Sequence, residues 1–478
     1  MAEGIRYKST TGRWVLAAAV LGSGMAFLDG TVVNVALRTI GRDLDASLSQ
    51  LQWITNGYMV SLASLILLGG SLGDHFGRRR VFVVGVVWFA AASLVCGLAQ
   101  SPEQLIVARV LQGVGAALLT PGSLAMIQGS FHPADRARAI GAWSGLGGIA
   151  AALGPFVGGW LVQYATWRLV FLINLPLAAF TVILAQRHVP ETKDPDSVPG
   201  FDSVGAALGA VGLAGVTFAL IEADSMSIPA VVASAVVGVV AFTAFIQVER
   251  TSRHPMMPTG LFASRQFSAA NAMTLLVYAA LGGVAFFLVL ELQTVSGYGP
   301  LGAGISMLPV TIVMLFGAPR GGQLAQKIGP RIPMTVGPLL CAAGIALLTG
   351  VGADASYWVD VLPGVTIFAI GLALLVAPLT ATVLAAAPDR FAGVASGINN
   401  AVARTGSLLA VAALPAAVGL SGADYDDPTA FNEGFRMAFG ICAGLLAAGG
   451  VVSWLLIRNP LPAGDGRVTA AEHQGPDH

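Results

Sequence analysis

Gly69-Gly70-Ser71-Leu72-Gly73-Asp74-His75-Phe76-Gly77-Arg78-Arg79-Arg80 returns in altered form as Gly321-Gly322-Gln323-Leu324-Ala325-Gln326-Lys327-Ile328-Gly329-Pro330-Arg331. In both copies small residues end an apolar run, a turn follows, and cations stand where the next apolar run begins. That is the pattern of a short loop between two membrane helices. A second echo, Pro133-Ala134-Asp135-Arg136 and Pro388-Asp389-Arg390, also lies between apolar runs. The offset is 252 positions from Gly69 to Gly321 and 254 from Asp135 to Asp389. One offset serves both pairs, so the chain divides into two related halves.

Of the 478 residues only 10% are charged and 55% are hydrophobic, with 60 glycines, too little charge to clothe a soluble surface. An all-α polytopic membrane protein is expected. The 25 acids balance the 25 bases, which argues against nucleic acid as a partner. Cys96, Cys341 and Cys442 stand singly inside apolar runs, with neither metal nor disulfide spacing, and are expected to be core residues. The first apolar run begins at Trp14 and is too long for a signal-peptide core, so it counts as an uncleaved span.

A helix needs about 20 apolar residues to cross a bilayer core. Such runs fall at 14–37, 51–72, 80–99, 104–128, 138–164, 167–186, 203–221, 228–248, 267–292, 301–325, 332–350, 360–386, 392–419 and 435–457, fourteen in all. An even number puts both termini on one side. That side carries nineteen lysines and arginines, whereas the other has only Arg38, Arg42, Arg168 and Arg436, with Arg109 and Arg404 inside spans. The asymmetry places both termini in the cytoplasm and the multi-pass chain in the inner (cytoplasmic) cell membrane. Six spans form an N-terminal half over 1–190 and six a C-terminal half over 266–460. Between them, 191–265 holds a polar linker and an inserted hairpin of two further spans, the first capped by Asp202 or Ser203. The polar, Gly-rich tail 461–478 is expected to be disordered.

Several polar groups fall inside these spans. Leu28-Asp29-Gly30-Thr31-Val32-Val33-Asn34 puts a carboxylate about two turns below the outer end of span 1, a costly position that marks a functional candidate. Its natural partner is Arg109, at similar depth in Arg109-Val110-Leu111-Gln112-Gly113-Val114-Gly115-Ala116 of span 4, where the small residues allow close helix packing. Span 5 holds Gly154-Pro155-Phe156-Val157-Gly158-Gly159, in which the proline removes a backbone donor and the glycines permit contact at the bend. Glu291 stands at the outer end of span 9, beside Gln293 and a Gly297-Tyr298-Gly299-Pro300 turn. It is either solvated or a functional residue. Arg404, near the middle of span 13, is expected to face an inter-half cavity or backbone carbonyls. Asn34, Trp53, Tyr58, Gln112 and Arg404 are candidates to line a cargo cavity; for Trp53, Tyr58 and Trp167 the alternative is anchoring at the membrane interface.

The loop around Gly73, Asp74, Gly77, Arg78 and Arg79 resembles the signature loop of the major facilitator superfamily, as do the paired six-span halves. That resemblance implies a cytoplasmic latch between the halves, resting on the first copy because Gln326 replaces its Asp74. The stretches around Asp29 and Arg109 are similar to superfamily patterns in spans 1 and 4. The span 5 motif resembles one that marks proton-driven exporters, although Ala150 stands where a glycine usually precedes it. Gln52-Trp53-Ile54-Thr55-Asn56-Gly57-Tyr58, Trp167-Arg168-Leu169-Val170-Phe171-Leu172-Ile173-Asn174-Leu175-Pro176 and Phe201-Asp202-Ser203-Val204-Gly205 look like the drug:proton antiporter family with fourteen transmembrane spans. Over residues 10–460 this implies a monomeric bacterial exporter of drugs or other small organic compounds, multidrug efflux and antibiotic resistance included. It would work by rocker-switch alternating access, need no cofactor, be driven by the proton gradient, and use Asp29, Arg109 and Glu291 for coupling. The alternatives are a nutrient importer or an exporter dedicated to one endogenous metabolite. An ATP-driven pump is disfavoured because Lys8, Lys193 and Lys327 stand in no phosphate-binding loop. An enzyme is disfavoured because the six histidines are scattered through loops and tail without metal spacing. For cargo, Asp29 suits lipophilic cations, while Arg109 and Arg404 suit anionic or neutral compounds.

Overall fold

A computed structural model describes residues 4–193, 202–252, 255–388, 391–422 and 424–459. Most of the linker read at 191–200, the Asp389-Arg390 echo and the tail at 461–478 lie outside the described residues. Fourteen helices carry the described chain: α1 (Thr10–Leu44), α2 (Leu48–Phe76), α3 (Arg78–Leu98), α4 (Pro102–Ser130), α5 (Pro133–Tyr164), α6 (Leu169–His188), α7 (Ser203–Ile221), α8 (Ile228–Thr251), α9 (Arg265–Thr294), α10 (Pro300–Ile328), α11 (Arg331–Leu348), α12 (Tyr357–Ala385), α13 (Ala392–Ala417) and α14 (Pro428–Leu456). Thirteen are long and apolar enough to cross a membrane; α13, interrupted by Ser396, Asn399, Asn400 and Arg404, completes the expected fourteen. Asp202 is the cap of α7, its carboxylate accepting from Gly205 N at 2.6 Å.

The repeat that divides the sequence has a physical basis in both copies. Gly77 and Gly329 take φ of 113° and 83°, which favour glycine, and turn the chain from one helix into the next. One step earlier, a Cβ on Gly69 would overlap the carbonyl oxygen of Ala117 on α4, and a Cβ on Gly321 would overlap that of Ala373 on α12. Each repeat glycine therefore lets its helix touch the backbone of the helix two further on. In the first half α2 and α3 pack on α4, and α1 on α5; in the second, α10 and α11 pack on α12, and α9 on α13 and α14. The α7–α8 hairpin lies outside, with α7 against both α2 and α13.

The halves meet unevenly. At the face away from the chain ends, Arg38 donates to Gln293 O, Arg42 pairs with Asp426 at 3.1 Å, and Gln293 donates to Val35 O at 3.0 Å. Gln52 reaches Val411 O at 2.7 Å, Tyr425 reaches Ala46 O at 2.9 Å, and Leu301 N reaches Gln163 at 3.1 Å. The deepest such bond, from Thr311 to Ala152 O at 3.5 Å, lies near mid-bundle. Toward the chain ends, the described loop cations pair within their own halves: Arg78 with Asp74, Arg79 and Arg80 with Glu191, and Arg331 with Trp454 O. There Gly141, Ser144, Leu146 and Gly148 of α5 are exposed, as are Phe316, Arg320, Leu324 and Ile328 of α10. Among the described residues, the hydrogen bonds and ion pairs between the halves gather at one face, and toward the chain ends α5 and α10 are exposed.

Candidate functional site

Helix α1 runs to Leu44, so Asp29 lies about four turns from its end rather than two, deep in the first half. It is 0% exposed, and four helices converge on it. Arg109 of α4 donates to one carboxylate oxygen at 2.5 Å; Gln112, one turn along, donates to the other at 2.9 Å, and Asn174 of α6 approaches that second oxygen at 3.4 Å. Ser93 of α3 accepts from Gln112 at 2.8 Å. Arg109 also donates to Ile54 O at 3.0 Å and to Gln112 Oε1 at 2.5 Å, and lies 4.4 Å from the Tyr58 ring centroid and 5.7 Å from that of Phe171.

The network satisfies the polar groups it buries. With Asp29 ionised, the buried charges cancel and both carboxylate oxygens have a donor. With Asp29 protonated, Arg109 keeps two carbonyl acceptors and two aromatic faces for its charge.

The other candidates divide. Glu291 is not solvated as its neighbouring turn suggests: it is 0% exposed, one oxygen accepting from Asn432 of α14 at 2.6 Å and the other without a partner among the described residues. Its neighbour Gln293 is drawn into the inter-half contact, which pulls the end of α9 under cover. Trp53 does not line the space between the halves; its indole donates to Glu222 at 2.8 Å and ties α2 to the hairpin. Gln112 is likewise spent inside the Asp29 network. Trp167 donates to Asp43 at 2.8 Å at the closed face. Asn34 is half-buried on α1, Tyr58 is buried under Arg109, and Arg404 is half-buried on α13.

The span 5 motif works by close approach. A Cβ on Gly154 or Gly158 would overlap Thr31 or Val32 of α1, one on Gly159 would crowd the backbone of Pro300 and Leu301, and one on Gly304 would overlap Pro155 O. The motif is therefore the hinge-side seam between α1, α5 and α10. In the loop, Asp74 pairs with Arg78 at 2.8 Å and is 39% exposed, free to change partners if the open face closes. Asp74→Asn is expected to slow transport several-fold at unchanged abundance, and Gln326→Ala to do less; equal effects in an uptake or efflux assay would remove the asymmetry between the copies. Ser93 and Asn174 escaped sequence reading because neither is ionisable and both sit in otherwise apolar runs.

The sequence model described as Major Facilitator Superfamily matches residues 19–411. The chain is 35% identical over 406 residues to the tetracenomycin C resistance and export protein of Streptomyces glaucescens, covering 84% of this chain and 74% of that one. It is 33% identical over 476 residues to the puromycin resistance protein pur8 of Streptomyces alboniger, covering 97% and 93%. Among solved structures, an inward-facing, occupied bacterial homolog of the human lysosomal transporter Spinster superposes with a TM-score of 0.68 at 17% identity, over 94% of this chain and 97% of that one, a likeness of fold.

Proposed function

The chain belongs to the major facilitator superfamily and is a multi-pass, non-enzymatic membrane transporter for small molecules; from that premise we propose that it is a proton-coupled exporter of drugs or other small organic compounds. The observation that carries the coupling is the buried Asp29–Arg109–Gln112 network, a titratable group with no access of its own in a bundle open at one face. The resistance and export relatives support the direction of transport.

The basic residues around both chain ends support cytoplasmic termini. On that orientation the open face is the cytoplasmic one, and the bundle is in its inward-open state. Cargo binds between the halves from inside, the halves rock, and protonation of Asp29 from the outer side resets the carrier. No cofactor is required, since the gradient supplies the work, and one chain suffices. Glu291, buried at the closed face, is a second titratable group on the outer side of the same path.

Cells expressing the protein are expected to survive a subset of a chemically diverse panel at concentrations several-fold above control cells. A protonophore should erase that margin, and ATP depletion at constant gradient should leave it. Resistance that follows ATP rather than the gradient would refute proton coupling.

A further inference from the structure

Near the middle of the bundle Asp29 and Arg109 cancel each other, and at the closed face Glu291 is held by Asn432. Arg404 is left: among the described residues it has neither an ion pair nor a side-chain hydrogen bond. A guanidinium inside a membrane span is costly without an acceptor, which makes Arg404 a functional candidate.

Its position follows from the contacts of α13. Gln52 near the start of α2 donates to Val411 O and Ala412 O, and a Cβ on Gly397 would overlap the Leu67 side chain further along α2. The two helices therefore run antiparallel in contact, with Arg404 about midway. Ala401 and Leu408, three residues before and four after it, pack into the apolar cluster of the first half, so Arg404 lies on the α13 face turned to α2. Helix α2 belongs to the first half and α13 to the second, so this face lies between the halves. Asn56 supplies an independent sign of a missing ligand. It stands one turn from Gln52 on the side of α2 that meets α13, is 0% exposed, and neither its oxygen nor its nitrogen has a partner among the described residues. A buried amide normally has both satisfied.

We propose that Arg404, with Asn56 on the facing stretch of α2, binds an anionic group, a carboxylate or phenolate, on the exported compound. The inference rests on the exporter reading and deepens it by giving the cargo a charge. A planar anion can take two parallel hydrogen bonds from the guanidinium and a further one from the amide. A lipophilic cation would instead meet a like charge, because Asp29, the carboxylate that could attract it, is 0% exposed with both oxygens engaged. Export of an anion against an entering proton moves charge in one sense, so the membrane potential also drives it.

The test uses two dyes on one xanthene ring system, anionic fluorescein and cationic rhodamine 123, with the full-length protein. In energised cells the wild type should export fluorescein in preference to rhodamine 123. Arg404→Gln should lower fluorescein export about tenfold, Arg404→Lys should keep part of it, and rhodamine 123 export should not fall. Fluorescein should also raise the melting temperature of the purified wild-type protein, a measurement that does not depend on any variant folding. Export of rhodamine 123 but not fluorescein by the wild type would overturn the anion site and leave the exporter intact. Fluorescein binding that requires Arg404, without gradient-driven export of either dye, would do the reverse. Equal fluorescein export by wild type and Arg404→Gln at equal abundance would also overturn the assignment.

Discussion

Asp29→Asn is expected to abolish uphill, gradient-driven export while the protein still folds and reaches the membrane. The amide keeps the shape of the carboxyl group, and its oxygen can still accept from Arg109 or Gln112, but it cannot carry a proton. Arg109 loses its counter-charge. Removing one partner of a buried pair costs about 3–5 kcal/mol where nothing replaces it, and here Ile54 O, Gln112 Oε1 and the Tyr58 and Phe171 rings remain. A lowered melting temperature without loss of the fold is therefore expected. The effect on transport is larger, because a proton gradient of one pH unit can sustain roughly a tenfold cargo gradient per proton, and the variant should sustain none. Downhill exchange of cargo can survive. Glu291→Gln should do less; normal uphill export by Asp29→Asn would pass the proton role to Glu291.

Gly304→Val is expected to stop transport by holding the outer face open. Gly304 lies so close to Pro155 O that even a methyl group overlaps backbone, which cannot move aside as a side chain can. Overpacking of this kind costs typically about 1–3 kcal/mol, enough to shift the population of the closed state roughly tenfold. Ala303, 0% exposed beside it, offers a reporter. On a background lacking Cys96, Cys341 and Cys442, Ala303→Cys should resist an impermeant thiol reagent in intact cells. Adding Gly304→Val should speed its labelling about tenfold, with Gly304→Ala intermediate. Normal transport with an unlabelled Cys at 303 would mean that α5 and α10 do not close as described.

What the chain discloses without its structure follows from the strength of each signal. Span positions rest on long apolar runs, and the helices coincide with them apart from their ends; α1 overruns because Arg38 and Arg42 continue it past the apolar run to meet Gln293 and Asp426. Asp29 and Arg109 were legible as a pair because buried charges must be matched and their depths agree. Ser93 and Asn174 were not, because hydrogen-bonding groups that complete a network are specified by the rotation of each helix about its axis, which one sequence does not reveal. Glu291 stayed open between a solvated and a functional residue for a related reason: the turn next to it signals exposure, but Asn432, 141 positions away, and the inter-half contact at Gln293 decide its burial. Trp53 shows the same ambiguity among aromatic residues near helix ends, resolved by a hairpin residue, Glu222, that no motif points to.

The most direct test of proton-coupled export is made with the purified protein in sealed vesicles, without ATP, where a pH gradient is imposed and accumulation of a resistance-conferring compound is followed. With the lumen acidic, wild-type protein oriented with its cytoplasmic face outward should concentrate the compound inside above the external level. The lumen should grow less acidic at the same time, and a protonophore should discharge the accumulated compound. Asp29→Asn should only equilibrate it. Wild-type accumulation that never exceeds the external level while the gradient persists, or that exceeds it equally with Asn at position 29, would contradict the account.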